Sequence, residues 1–349
     1  MTFTRRQPLA PDTYDLLKTF AILLVVLGHV TIIYSPLSSF PQTDGNKWIN
    51  LFTDGIYAFH MPLFFFISGC IYVLGRQRQK YATWPELLGK KFRRLMVPYF
   101  LVGIFLLIPT LMLLEITSLS FAQSVGHLLY GHQVKHLWFL IALFIQFLFI
   151  RAAEPLLVKI PALVGILTSI ALAILLPLSK LDFFQLPMAI RYLPYFLLGY
   201  YAQREAWTQI RLRGGEIAST IAVAAAIFLL RPRLHLPISI YLLLDYLLAF
   251  LCICLALQIV SRMRMDTKKY WYRTVAQSSF GIYLLHPMII YSLFFLKADR
   301  SIHPAIMIPA VFIIALIVSI LGTRCLRKLN LPIVLGETQK KIVVLSANE

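Results

Sequence analysis

Residues 15–29 read Asp15-Leu-Leu-Lys18-Thr-Phe-Ala-Ile-Leu-Leu-Val-Val-Leu-Gly28-His29. A helix that crosses a bilayer needs about 20 largely apolar residues, and this run, continued to residue 35, supplies them. Its ionisable groups past the start are Lys18 and His29. Such side chains are costly in lipid and face a cavity or a partner. The spacing from Lys18 to His29 is just over three helical turns, so both project from one face, offset by roughly 20° and about 16 Å apart along the axis. One stripe can therefore hold two ends of a long ligand. The alternative is that Lys18 snorkels to the interface while His29 bonds a neighbouring helix.

Similar runs recur along the 349 residues, near 15–35, 51–74, 95–116, 137–152, 160–178, 187–203, 216–231, 238–260, 274–297 and 304–325. With 59% apolar and 14% charged residues and no polar segment long enough to fold alone, the chain reads as one membrane unit. The expectation is an all-α, polytopic transmembrane helix bundle of about ten spans. Residues 1–14 form a cytoplasmic N-terminal segment, 15–325 the membrane domain and 326–349 a cytoplasmic tail. The segments beginning at 137, 187 and 216 are short for a full crossing.

The net charge of +18 is spread through short loops rather than gathered on one face, which argues for topology and against nucleic-acid binding. Lys and Arg divide roughly three to one between the two sides, with Arg76, Arg78, Lys90, Lys91, Arg93, Arg94, Arg204 and Arg262 on the richer one. That asymmetry predicts an N-in, C-in orientation. The four cysteines lie within or at the ends of apolar segments, and a disulfide framework or zinc site is not expected.

Further titratable groups direct the search for chemistry. His60 lies in Phe59-His60-Met61-Pro62, and His286 in Gly281-Ile282-Tyr283-Leu284-Leu285-His286-Pro287. With His29 they make three histidines in three spans at middle to outer depth, able to meet only around a shared polar cavity. Imidazole is the side chain best able to take and return a proton near neutral pH. Either of the last two could instead satisfy a carbonyl freed by its neighbouring proline. Asp54 and Asp245 could orient a histidine or make an interhelical hydrogen bond.

Lys90, Lys91, Arg93 and Arg94 place four cations at the inner mouth of the third span, as a phosphate clamp or as topogenic charge. The longest outside segments, about 36–50 and 117–136, are candidates for contact with a substrate. His127, His132 and His136 in the second lack an accompanying carboxylate or thiolate, so a polar loop is favoured over a metal site.

Together these residues resemble the acyltransferase-3 family of membrane acyltransferases, which includes glycan O-acetyltransferases. Lys18 and His29 occupy the positions of its Arg-x10-His signature, with Lys in place of Arg. Phe59 to Gly69, which contains Ser68, resembles the family's Phe-Phe-x-x-Ser-Gly segment. Lys91-x-x-Arg94 resembles its Arg-x-x-Arg pair, His136-Leu-Trp138-Phe139-Leu its Trp-Phe segment, and Ser279 to Pro287 its Ile-Tyr-x-x-His segment. The resemblance covers roughly residues 12–325, with the five segments in order. Lysine at 18 and 91 keeps the charge but loses bidentate phosphate geometry.

The resemblance implies transfer of an acyl group, most often acetyl from cytoplasmic acetyl-CoA, to a hydroxyl of a cell-surface glycan or lipid-linked precursor at the plasma or inner membrane. On that reading Lys18, Lys90, Lys91, Arg93 and Arg94 bind the donor, and His29 is the general base. His60 and His286 hold the acceptor or the developing oxyanion, Trp138, Asp54 and Ser68 line the acceptor site, and no metal takes part. An acyl-imidazole on His29 is the variant within this class. A multi-pass transporter of a glycan or its precursor is the rival outside it.

Overall fold

The computed structural model describes residues 11–35, 46–132, 134–176, 183–263, 270–296 and 303–338. Most of the outside segment 36–50 and several of the topogenic residues, Arg5, Arg6, Lys268, Lys269, Lys340 and Lys341 among them, lie outside the described residues. The described chain is an all-helical bundle: α1 (Pro11–Thr31), α2 (Lys47–Tyr57), α3 (His60–Gln77), α4 (Trp84–Leu113), α5 (Phe121–Tyr130), α6 (Trp138–Leu157), α7 (Ala162–Leu175), α8 (Leu186–Arg191), α9 (Leu193–Arg204), α10 (Gly214–Leu230), α11 (Ile238–Arg262), α12 (Tyr270–Leu296) and α13 (Pro304–Lys328). A one-turn helix, Pro332–Leu335, follows.

Helices occupy all ten apolar segments. Eight candidate spans among the described residues are long and apolar enough to cross a membrane. The remaining two segments hold shorter helices, α7 and the pair α8–α9, which breaks at Tyr192. The second span is also interrupted: α2 starts on an Asn46 cap whose side chain accepts from the Trp48 N–H, ends at Ala58, and α3 restarts at His60. Pro62 therefore stands in the first turn of α3, where its missing N–H costs nothing.

α4 contains two π-turns, Phe92–Met96 and Gly103–Leu107, one just before each of its interior prolines, Pro98 and Pro109. Proline cannot donate to the carbonyl four residues back, and here the preceding residue closes a wider ring instead, Val97 N–H to Phe92 O and Ile108 N–H to Gly103 O. The first π-turn begins next to Lys91.

Helices in lipid associate by close packing at small residues and by hydrogen bonds, since lipid is as apolar as leucine. The closest pair is α3 with α9. A Cβ at Gly69 would fall on the Phe196 carbonyl oxygen, and one at Gly199 on that of Phe66. The Cys70 thiol donates to the Gly199 carbonyl at 3.3 Å. α1 packs on α12 and α3, and α12 on α13.

One end of the bundle is tied by cations. The buried Glu154 of α6 accepts from Arg76 Nε at 3.0 Å and from Arg151 Nη1 at 2.7 Å. Arg204 donates to the Leu157 and Val158 carbonyls, each at 2.9 Å. Leu163, Leu167 and Leu175 on α7, Ile221 and Val223 on α10, and Ile313 and Ile317 on α13 are exposed, as lipid-facing surfaces require.

Candidate active site

His29, near the C-terminal end of α1, His60, the first residue of α3, and His286, within α12, come together near the end of the bundle opposite the basic one. The His29 and His286 rings lie 4.9 Å apart, nearly perpendicular. Tyr57 links His60 to them, its ring 4.7 Å from that of His60 and 6.4 Å from that of His29. Gly28 permits this approach of α2 to α1: a Cβ there would stand 3.1 Å from Ile56 and 3.2 Å from Tyr57.

The three imidazoles share one local arrangement. Nδ1 of His29 faces the Val25 carbonyl at 2.9 Å, that of His60 the Ile56 carbonyl at 2.8 Å and that of His286 the Ile282 carbonyl at 2.8 Å. A carbonyl only accepts, so Nδ1 carries the proton and the neutral ring keeps its lone pair on Nε2. Each ring is thus oriented by the carbonyl four residues before it and keeps Nε2 as a base. For His60, the carbonyl served belongs to α2, before the break, and is not one that Pro62 frees.

A fourth histidine joins them. His136 is buried, 6.0 Å from the His286 ring and 5.7 Å from that of Tyr283. The Tyr283 hydroxyl donates to the His136 carbonyl, and His136 Nε2 donates to the Leu284 carbonyl at 3.3 Å. Its lone pair is therefore on Nδ1. The sequence reading leaves His136 in a polar loop, because residues 117–136 look like an outside segment. The signal lay in its place two residues before Trp138, at the start of a span whose outer end meets that of α12. Among the described residues, His286 Nε2 and His136 Nδ1 are buried without a hydrogen-bond partner. Buried polar atoms are rarely left so, and these two belong to adjoining rings 6.0 Å apart.

Trp138 is half-buried, with its ring 5.2 Å from Tyr192 and 6.2 Å from Phe65. Tyr192 lines a cleft of ≈ 210 Å³ together with Tyr57, Asp54, Arg191, Arg231 and Asp245. Asp54 thus stands in the cleft beside the histidines rather than on one of them. Asp245 pairs with Arg231, an interhelical tie between α11 and the end of α10. Ser68 donates to the Phe64 carbonyl of its own helix at 2.8 Å, two turns from His60 and so about 12 Å along the axis. The structure does not bring it to the imidazoles.

The cations expected to bind the donor are not one free cluster. Lys18 pairs with Asp15 at 2.6 Å, and Lys90 with Glu86 at 2.5 Å. Arg93 is exposed. Arg94 donates to the Leu335 carbonyl at 2.8 Å, lies 4.0 Å from Glu337 and stacks on Phe280 at 4.1 Å. Gly336, with φ +60, makes this possible, because a Cβ there would meet the Arg94 backbone at 2.6 Å. Lys91 alone is buried, its Nζ 3.4 Å from the centroid of Phe147 and 4.7 Å from that of Tyr81, with no anionic partner among the described residues. Among the described residues no group of three or more His, Cys, Asp and Glu is arranged to hold a metal ion.

An imidazole cluster at one end, a polar cleft beside it and a buried ammonium towards the other end suit group transfer along the bundle. The acyltransferase domain model matches residues 12–324, nine-tenths of the sequence. The chain belongs to the acyltransferase-3 family. Nodulation protein NolL of Sinorhizobium fredii is 30% identical over 225 residues, covering 62% of this chain and 56% of NolL. Glucans biosynthesis protein C of Shigella dysenteriae is 26% identical over 140 residues, covering 38% of this chain and 36% of that protein. Its counterpart in Salmonella paratyphi B is 29% identical over 147 residues, with 39% and 37% covered. The chain thus spans about half or less of the curated relatives it matches. No solved structure matches it. In this acyltransferase-3 domain all four histidines, the cleft and Lys91 lie inside the matched region.

Proposed function

We propose that the protein is a membrane acyltransferase that moves an acyl group, most often acetyl, from cytoplasmic acyl-CoA to a hydroxyl of a cell-surface glycan or lipid-linked sugar. The basic end faces the cytoplasm and the histidine end faces outward, in line with the charge asymmetry of the sequence. His29 Nε2 takes the proton of the acceptor hydroxyl as its oxygen attacks the thioester carbonyl. The C–S bond then breaks, and the proton passes from the imidazolium to the CoA sulfur. His286 and His60, each with its lone pair on Nε2, hold the acceptor sugar by accepting from its neighbouring hydroxyls. Lys91 and the exposed Arg93 attract donor phosphate, and the names of two relatives, both glucans biosynthesis protein C, point to a glucan as one acceptor class.

The observation that carries this reading is the convergence of the histidines, each with one nitrogen fixed by a carbonyl and the other free for chemistry. The test is mass spectrometry of surface and lipid-linked glycans from cells making the wild-type protein or His29→Ala at equal membrane levels. A mass difference of one acyl group that disappears in the variant is expected. Unchanged glycan acylation in His29→Ala would overturn the assignment.

A further inference from the structure

The cleft beside Tyr57 carries charges in a combination that selects among sugars. Arg231 of the turn after α10 and Asp245 of α11 neutralise each other. That leaves Asp54 of α2 and Arg191 of α8, both exposed on the cleft wall and in no ion pair among the described residues. The formal charges of the four groups cancel. An anionic sugar drawn to Arg191 would meet the unpaired Asp54 carboxylate, whereas an uncharged ring offers hydroxyls that donate to Asp54 and accept from Arg191. Tyr57 and Tyr192 supply flat, amphipathic walls for the ring's apolar face. The cleft volume of ≈ 210 Å³ is below the roughly 300–1,000 Å³ of drug-sized ligand sites, which fits one sugar ring at a time. Tyr57 belongs to both cleft and histidine cluster, its ring 4.7 Å from that of His60 and 6.4 Å from that of His29, so the cleft adjoins the imidazoles across this one side chain.

We infer that this cleft is the acceptor subsite and that Asp54 and Arg191 make it specific for an uncharged sugar unit, an inference that rests on the acyltransferase reading above. The test uses the full chain in lipid nanodiscs and calorimetric titration with glucose tetrasaccharides and with uronic-acid tetrasaccharides. Neutral oligomers bind at least tenfold more tightly than uronates, and Asp54→Asn and Arg191→Ala each weaken neutral binding about tenfold. Both residues are exposed, so melting temperatures stay unchanged, and Leu242→Trp, which fills the cleft from a third side, abolishes binding.

Equal or tighter binding of uronates, failure of both oligomers to bind, or neutral binding indifferent to all three substitutions would overturn the inference. Wild-type protein that binds the neutral sugar at the cleft yet transfers no acetyl to it from acetyl-CoA would leave the cleft intact and overturn the acyltransferase reading instead. Acetyl transfer to glycans that is unaffected by Asp54→Asn and Arg191→Ala would do the reverse.

Discussion

The imidazole of His286 stands edge-on to that of His29, with centroids 4.9 Å apart and planes at 80°. On the proposed mechanism these two neighbouring rings serve a single reacting oxygen. His286→Asn keeps a polar group of similar size but removes the imidazole. It should lower kcat for glycan acylation roughly 100-fold or more, the usual weight of a positioned acid–base group, with less effect on acceptor KM. Measurement of both constants in membranes with matched protein checks this.

His136 is expected to behave as part of the same unit. Its contact with His286 and its unpartnered Nδ1 predict that His136→Ala loses at least tenfold in kcat, and that His136→Ala,His286→Asn together lose far less than the product of the two. Full additivity in that double-mutant series would show that His136 acts alone.

Gly28→Ala tests the seat of Tyr57. The added methyl would sit 3.1 Å from Ile56 and 3.2 Å from the Tyr57 ring, closer than comfortable packing. Thermal stability should fall by about 1 kcal/mol, the lower range for a mild overpacking, while activity falls more than that loss explains because Tyr57 bridges the acceptor cleft and the histidines. A melting curve and a transfer assay on the same preparation separate the two effects.

Lys91→Met retains the packing against Phe147 and Tyr81 while removing the charge. Burying an unpaired ammonium is costly, so the variant should be at least as stable as the wild type, yet bind CoA about tenfold more weakly. Undiminished CoA affinity would make Lys91 a structural cation. The tail offers a companion test at the same end: Glu337→Ala frees Arg94 and Arg327, the latter held by Glu337 at 2.8 and 3.0 Å, and should raise CoA affinity severalfold.

The positions of the helices were legible because continuous apolar runs with sparse charges leave few alternatives in lipid. The convergence of His29, His60 and His286 was legible for the same reason: three costly groups at one depth need common polar surroundings. What was hidden depends on breaks and pairings that periodicity does not encode. The second span stops at Ala58 and restarts at His60, Asp54 shares a cleft with Arg231 and Arg191, and Arg231 reads from sequence as a loop cation rather than the partner of Asp245. His136 is drawn inward by the Tyr283 hydroxyl, a contact 147 positions away in the chain. Lys18 and Lys90 show the converse, since each finds a carboxylate on its own helix, Asp15 and Glu86.

Arg94 receives its carbonyl from Leu335, 241 positions further along the chain. During synthesis the third span therefore enters the membrane before this partner exists, and the contact forms only after nearly all the remaining helices have been inserted. The end of the bundle around Lys91 and Arg94 is among the last parts of the molecule to be finished, and a ribosome stalled before residue 335 holds a protein whose histidines can assemble while the opposite end is still open.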